Sequence, residues 1–262
     1  MNLKIYQVDA FTDKVFGGNP AAVVPLKAWP EDGLMQKIAM ENNQAETAFY
    51  VPKGNQYEIR WFTPEIEVDL CGHATLATAF VLFNKENHSG DVIEFYSHRS
   101  GRLKVNRDGD YLTLDFPTDK LNPVEIQDEL WKGFGIKPKE AYRGKTDFML
   151  VFETETQIKN FQPDVNFINT LQCRGVIVTA KGDQVDFVSR FFAPQSGIVE
   201  DPVTGSAHTS LTPYWSGKLG KKVLTAIQLS ARRGHLKCTD QGERTLISGQ
   251  ARLYLVGDIA GF

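Results

Sequence analysis

The chain is poor in cysteine. Its three, Cys71, Cys173 and Cys238, are an odd number at scattered positions, which excludes a disulfide framework and a Cys-x-x-Cys metal pair. Histidine is scarce too, and the five present fall at no metal-ligand spacing. No basic block occurs: the net charge is −3, charges of both signs are mixed along the chain, and the sharpest basic cluster is Arg232-Arg233. Nucleic acid is therefore not an expected partner. No stretch approaches the roughly 18 apolar residues of a membrane span, and the opening residues MNLKIYQVDAF alternate as a strand does, unlike a signal peptide. The expectation is a soluble, cytoplasmic protein without a membrane partner. The sequence also lacks Gly-x-Gly-x-x-Gly, a Walker loop, a Gly-x-Ser-x-Gly elbow and His-Glu-x-x-His. The class left standing is cofactor-free proton chemistry on a small-molecule substrate, with no metal.

What is present is a duplication. Residues 61–83, WFTPEIEVDLCGHATLATAFVLF, read as a strand, a Pro-bearing turn, a tight corner at Cys71-Gly72-His73 and an apolar helix from about His73 to Asn84. Residues 191–211, FFAPQSGIVEDPVTGSAHTSL, repeat the pattern. Setting Gly72 on Gly205 places His73 on Ser206 and Ala74 on Ala207, and brings Phe62 near Phe192 and Pro64 near Pro194; the second copy has three extra residues between its Pro and its Gly. A chain of 262 residues with 42% hydrophobic content suits one large domain or two modest ones, and the repeat favours two.

Alternating or β-branched stretches predict strands at 3–11, 21–24, 46–51, 57–63, 92–98, 102–106 and 111–116, with a hairpin turn at 107–110. A short helix is expected over 30–40. The helix after His73 is apolar round nearly its whole circumference, so strands must wrap it. Residues 117–123 read as a linker, which sets the halves at 1–118 and 119–262. Beyond it, 123–134 reads as an amphipathic helix, 141–152 as one or two strands, 154–161 and 164–171 as short helices, and 175–179, 185–192, 226–231, 235–238, 245–248 and 251–256 as strands.

Each corner offers unpaired N–H groups at a helix start, glycine for close approach, and small residues beside it. Two such corners facing one another would cradle a carboxylate or a developing enolate; the plainer reading is that small residues suit a tight turn. Glu46, opening a strand, is a candidate proton carrier or a solvated strand start. His73 is a candidate relay or anion contact, Asp201 a candidate to orient a histidine or a substrate amine, and Ser206 a substrate contact or a helix cap. His208, inside the second helix, reads as a packed residue.

These residues resemble the PhzF (phenazine biosynthesis-like) family, within the diaminopimelate epimerase-like fold, over essentially the whole chain. The resemblance rests on Val8-Asp9-Ala10-Phe11 with Gly18-Asn19-Pro20-Ala21-Ala22-Val23, on Glu46-Thr47-Ala48-Phe49, on Phe62-Thr63-Pro64 followed by Leu70-Cys71-Gly72-His73-Ala74-Thr75-Leu76-Ala77, and on 197–208, GIVEDPVTGSAH. It implies an α+β fold of two pseudo-symmetric halves, each a curled sheet or barrel around a central helix, with the site in the cleft between them. The last strand, about 251–257, is then expected to pack on the N-terminal half. It further implies a homodimer, no cofactor, and an isomerase acting on a small carboxylate-bearing metabolite. In the namesake enzyme a glutamate matching Glu46 moves a proton on a cyclic dihydroxy-amino acid, and residues matching His73, Asp201 and Ser206 surround the substrate. Glu46, His73 and Asp201 are thus the expected catalytic residues, with Asn19, Gly72, His73, Gly205 and Ser206 as substrate contacts. The similar epimerase branch places a cysteine just before each glycine. Here those positions hold Cys71 and Thr204, which disfavours a symmetric two-thiol racemase. A one-base epimerase or dehydratase using Cys71, and a non-catalytic binding or assembly protein, stay open as alternatives.

Overall fold

The structure is a computed structural model that describes residues 2–260. In chain order the elements are β1 (Leu3–Ala10), β2 (Asn19–Pro25), α1 (Asp32–Asn42), β3 (Glu46–Lys53), β4 (Gln56–Phe62), β5 (Glu67–Val68), α2 (Gly72–Asn84), β6 (Val92–Ser97), β7 (Gly101–Asp108) and β8 (Tyr111–Pro117). They continue as β9 (Asn122–Pro123), α3 (Asp128–Trp131), β10 (Glu140–Arg143), β11 (Asp147–Val151), α4 (Glu155–Asn160), α5 (Val165–Asn169), β12 (Gly175–Lys181), β13 (Phe187–Phe192), α6 (Ala207–Leu219), β14 (Val223–Gln228), β15 (Gly234–Asp240), β16 (Arg244–Gly249) and β17 (Ala251–Ile259). The α+β expectation holds. Contacts divide the chain into two units, one running to Asp115 and taking in Ser248 onward, the other Phe116–Ile247.

In the first unit β17 pairs antiparallel with β1, β1 antiparallel with β2, β2 parallel with β3, and β3 antiparallel with β4. β4 then runs parallel to β6, and β6, β7 and β8 form a meander. The parallel β2–β3 step is made by α1, whose end is set by Asn43 in the left-handed region at φ 48; β3 starts three residues later. The central helix α2 buries ten of its 13 residues, among them Leu76, Val81, Leu82 and Phe83, and packs on β1, β2, β3 and β17. Its all-round apolar composition is what an enclosed helix needs. Truncating Leu76, fully buried, to alanine would cost about 2–5 kcal/mol.

The second unit repeats the theme with a more polar pillar. β10 and β11 are antiparallel, β11 and β12 parallel, β12 and β13 antiparallel, β13 and β14 parallel, and β14 and β15 antiparallel. α6 packs on β14 and β15. Its buried face carries His208, Thr209, Ser210, Thr212 and Ser216, and several of these return hydrogen bonds to its own turns: Thr212 Oγ1 donates to His208 O at 2.6 Å and Thr209 Oγ1 to Ser206 O at 2.7 Å. Pro213 lies inside this helix and cannot donate to the carbonyl four residues back. That carbonyl, Thr209 O, accepts instead from the Asp119 N–H at 3.2 Å.

One expected element is corrected. Residues 123–134 are not a single amphipathic helix. β9 pairs with β10, Val124 N donates to Ala141 O, and only Asp128–Trp131 is α-helical, followed by a 3₁₀ turn at Lys132–Phe134. Sheet pairing claims the front of the segment, and Gly133 and Gly135 weaken its end. The predicted helix at 30–40 begins at Asp32 and runs on to Asn42. No helix among the described residues is long and apolar enough to cross a membrane.

Candidate active site

The first corner assembles four side chains from three elements: Asn19 of β2, Glu46 of β3, and Cys71 and His73 at the start of α2. Glu46 is the opening residue of β3, placed opposite Ala21 by the parallel register with β2. Cys71 caps α2 in an extended conformation, without a side-chain capping bond. Its carbonyl accepts from Thr75 N at 3.1 Å and Thr75 Oγ1 at 2.6 Å, which tightens the first turn and aims His73 inward. His73 Nε2 lies 3.2 Å from Glu46 Oε2, the two side chains being 7% and 13% exposed. On the other side of the ring Nδ1 is 3.2 Å from Asn19 Nδ2 and 3.5 Å from Cys71 Sγ.

The electrostatics follow from that crowding. Burial alone would raise the Glu46 pKa, but the charge and contact of His73, and contact with Cys71, hold it below the usual carboxylate range. Burial pushes His73 down, yet Cys71 and Glu46, both in contact with the ring, hold it well above the usual histidine value. Burial, then the Glu46 charge, push the Cys71 thiol up to about 11. Cys71 is therefore a neutral thiol at neutral pH, and Glu46 is the charge that keeps His73 protonated. The pair is a carboxylate–imidazolium ion pair through Nε2 and Oε2, 3.2 Å apart. The donor atoms of Glu46, Cys71 and His73 lie within 4.8 Å of one another.

The second corner is built differently. Ser206 does not cap α6: its backbone is helical, at φ −62 and ψ −33, and its hydroxyl makes no capping bond. Ser206 Oγ instead accepts from Arg174 Nη2 at 3.0 Å. Arg174 is itself clamped by buried Asp147, through Nε to Oδ1 at 2.9 Å and through a second, close Nη2–Oδ2 contact. Asp201 Oδ2 accepts from Thr204 Oγ1 at 2.6 Å, and Gln228 braces the turn by donating to Asp201 O at 2.8 Å and accepting from Thr204 N at 2.8 Å. His208, a packed residue as its position suggested, is fully buried and bonds through Nδ1 to Thr204 O at 2.8 Å.

Glu46, His73, Gly72, Asn19 and Cys71 thus belong to the first unit, and Asp201, Gly205 and Ser206 to the second. Arg174, Asp147 and Gln228 escaped sequence reasoning. Arg174 meets Asp147 only because the parallel register sets Asp147 opposite Gly175, and no local pattern announces that.

A model of the family described as phenazine biosynthesis-like protein matches residues 8–257. An uncharacterized isomerase of Pseudomonas aeruginosa is 51% identical over 259 residues, 99% of each chain. A second uncharacterized isomerase of the same organism is 52% identical over 260 residues, again 99% of each. The crystal structure of a PhzF-family phenazine biosynthesis protein from Enterococcus faecalis matches with a TM-score of 0.97 at 47% identity, covering 99% of this chain and all of that one.

Proposed function

The chain belongs to the phenazine biosynthesis-like family and is an enzyme of isomerase type, and from that premise we propose that it moves a proton between two carbon positions of a small carboxylate-bearing metabolite, with Glu46 as general acid and base. The observation that carries this reading is the Glu46 carboxylate itself. It is largely buried and held ionised by His73, whose Nε2 lies 3.2 Å from Oε2. A carboxylate in that state is ready to take a substrate proton, and a nearby imidazolium stabilises the enolate that results. The carboxyl group, now neutral beside a charged His73, returns the proton to a second carbon. No external base or redox partner enters the balance.

In this reading the N–H groups opening α2 at Gly72-His73 hold substrate oxygen atoms, as helix starts favour anions. The Gly205-Ser206 corner is proposed to hold anionic groups too, with Asp201 as a further polar contact. A one-base reaction at Cys71 is disfavoured by the thiol's pKa of about 11.

The test is incubation with metabolite pools in deuterated water. One compound should gain deuterium with wild-type enzyme, and Glu46→Gln should slow that incorporation by about 10²- to 10⁴-fold. Incorporation at the wild-type rate by Glu46→Gln would overturn the assignment.

A further inference from the structure

Proton transfer by Glu46 needs a His73 ring that keeps one nitrogen on the carboxylate throughout. The residue in place to secure this is Asn19, which is fully buried and lies 3.2 Å from Nδ1, on the opposite side of the ring from Glu46. The chain goes to some length to put it there. Between β1 and β2, Phe11 and Phe16 adopt left-handed backbone conformations at φ 62 and 69, and Gly18 follows at φ 61. A Cβ on Gly18 would sit 2.0 Å from Ala10 O, so only glycine fits. The loop then closes with Asn19 paired opposite Ala10. Strain of this kind is retained where surrounding structure needs a particular placement.

We infer that Asn19 is the positioning residue of His73: its carboxamide fixes the ring through Nδ1 so that, whenever the ring is neutral, Nε2 carries the proton facing Glu46. In the structure Nδ2 is the end of the carboxamide that faces Nδ1. When the ring is neutral, Nδ2–H donates to a bare Nδ1, which leaves the proton on Nε2. The titratable groups facing the ring are Glu46 from β3 and Cys71 from the corner; Asn19, from β2, is uncharged at every pH. The inference rests on the proposed role of Glu46 for its purpose, though its evidence is the contact itself.

The test reads the ring directly by nitrogen NMR of protein labelled at the histidine side chains. A His73→Gln variant identifies the His73 signals among those of the five histidines. In a Glu46→Gln background, where burial drives the ring neutral, Nδ1 and Nε2 should show the widely separated shifts of a single Nε2–H tautomer. Adding Asn19→Leu should collapse that separation toward a tautomer average. With Glu46 intact, the near-isosteric Asn19→Asp, which keeps the shape should the leucine variant fail to fold, should move the His73 midpoint to higher pH. An unchanged separation in the first variant, or an unchanged midpoint in the second, overturns the inference. Unaltered signals on substituting Asn19 leave Glu46 untouched, whereas deuterium exchange that survives Glu46→Gln removes the proposed function and leaves the tautomer result standing.

Discussion

His208 should make this protein acid-sensitive in a way that one substitution removes. The ring is fully buried, its Nδ1–H is committed to Thr204 O, and Nε2 has no partner. Phe187 packs beside it with ring centroids 5.9 Å apart. Burial lowers its pKa from 6.5 to about 4. Protonation would place a charge among apolar groups with nothing to receive the second N–H. Between pH 6.5 and about 4, then, the unfolded chain binds a proton here and the folded chain does not. The stabilising contribution of neutral His208 is complete above pH 6.5 and is lost as the pH falls to about 4. At about 1.4 kcal/mol for each pK unit, the loss across the window is on the order of 3 kcal/mol, a large share of the roughly 5–15 kcal/mol that holds a typical domain together.

The perturbation is His208→Gln, which keeps a donor for Thr204 O and cannot titrate. Urea denaturation of both proteins, followed by circular dichroism at a series of pH values, gives the difference in stability. Carboxylates that also lose stabilisation in acid, such as Glu67, Asp186 and Asp240, are common to both proteins and cancel in that difference. Relative to wild type the variant should gain about 3 kcal/mol between pH 7 and 4. A difference that stays flat over that range would refute the reasoning. His73 supplies a control of opposite sign. Its pKa is raised, so its contribution is complete below pH 6.5 and is lost only as the pH rises through the folded value.

Two further outcomes bear on the corners. At pH 7 iodoacetamide should leave Cys71 unmodified, and Cys71→Ala should retain deuterium incorporation; rapid alkylation blocked by substrate, together with an inactive alanine variant, would move the chemistry to the thiol. Asp147→Asn should cost about 1–3 kcal/mol in chemical denaturation, less than the roughly 3–5 kcal/mol of breaking a fully buried pair, because Arg174 is 38% exposed and can turn to water; unchanged stability would show that the clamp carries no weight.

The parts of this molecule that were legible in its sequence are those whose cause is local. An apolar circumference from Ala74 to Phe83 demands an enclosing sheet, and α2 has one. Thr154 with Gln157 three residues on forms a capping box at the start of α4, as the expected short helix there requires. The strand–Pro–corner–helix repeat was readable because each copy is one contiguous segment. Where segments compete for partners, local reading failed: residues 123–134 carry a helical pattern, but Ala141 O claims the Val124 N–H. The site divides along the same line. Gly72, His73, Gly205 and Ser206 lie within their corners, whereas Asn19 and His73 are 54 positions apart, Arg174 and Ser206 32, and Asp147 and Arg174 27. Sheet register sets Asp147 beside Arg174, and the packing of α2 on β2 sets His73 beside Asn19; no local pattern announces either.

The repeat also carries more about backbone than about chemistry. Setting Gly72 on Gly205 sets Thr75 on His208, and each of these side chains bonds back to the carbonyl four residues earlier, Cys71 O in one case and Thr204 O in the other. The two corners therefore need the same bracing and take it from unlike residues. At the next equivalent pair, His73 meets a carboxylate at 3.2 Å and Ser206 meets a guanidinium at 3.0 Å. The two corners share this bracing bond while the charge beside it has changed sign. Glu46, the proposed proton carrier, stands at the first corner, and where that corner has Cys71 just before its glycine the second has Thr204, which separates this chain from an enzyme with a thiol at each corner.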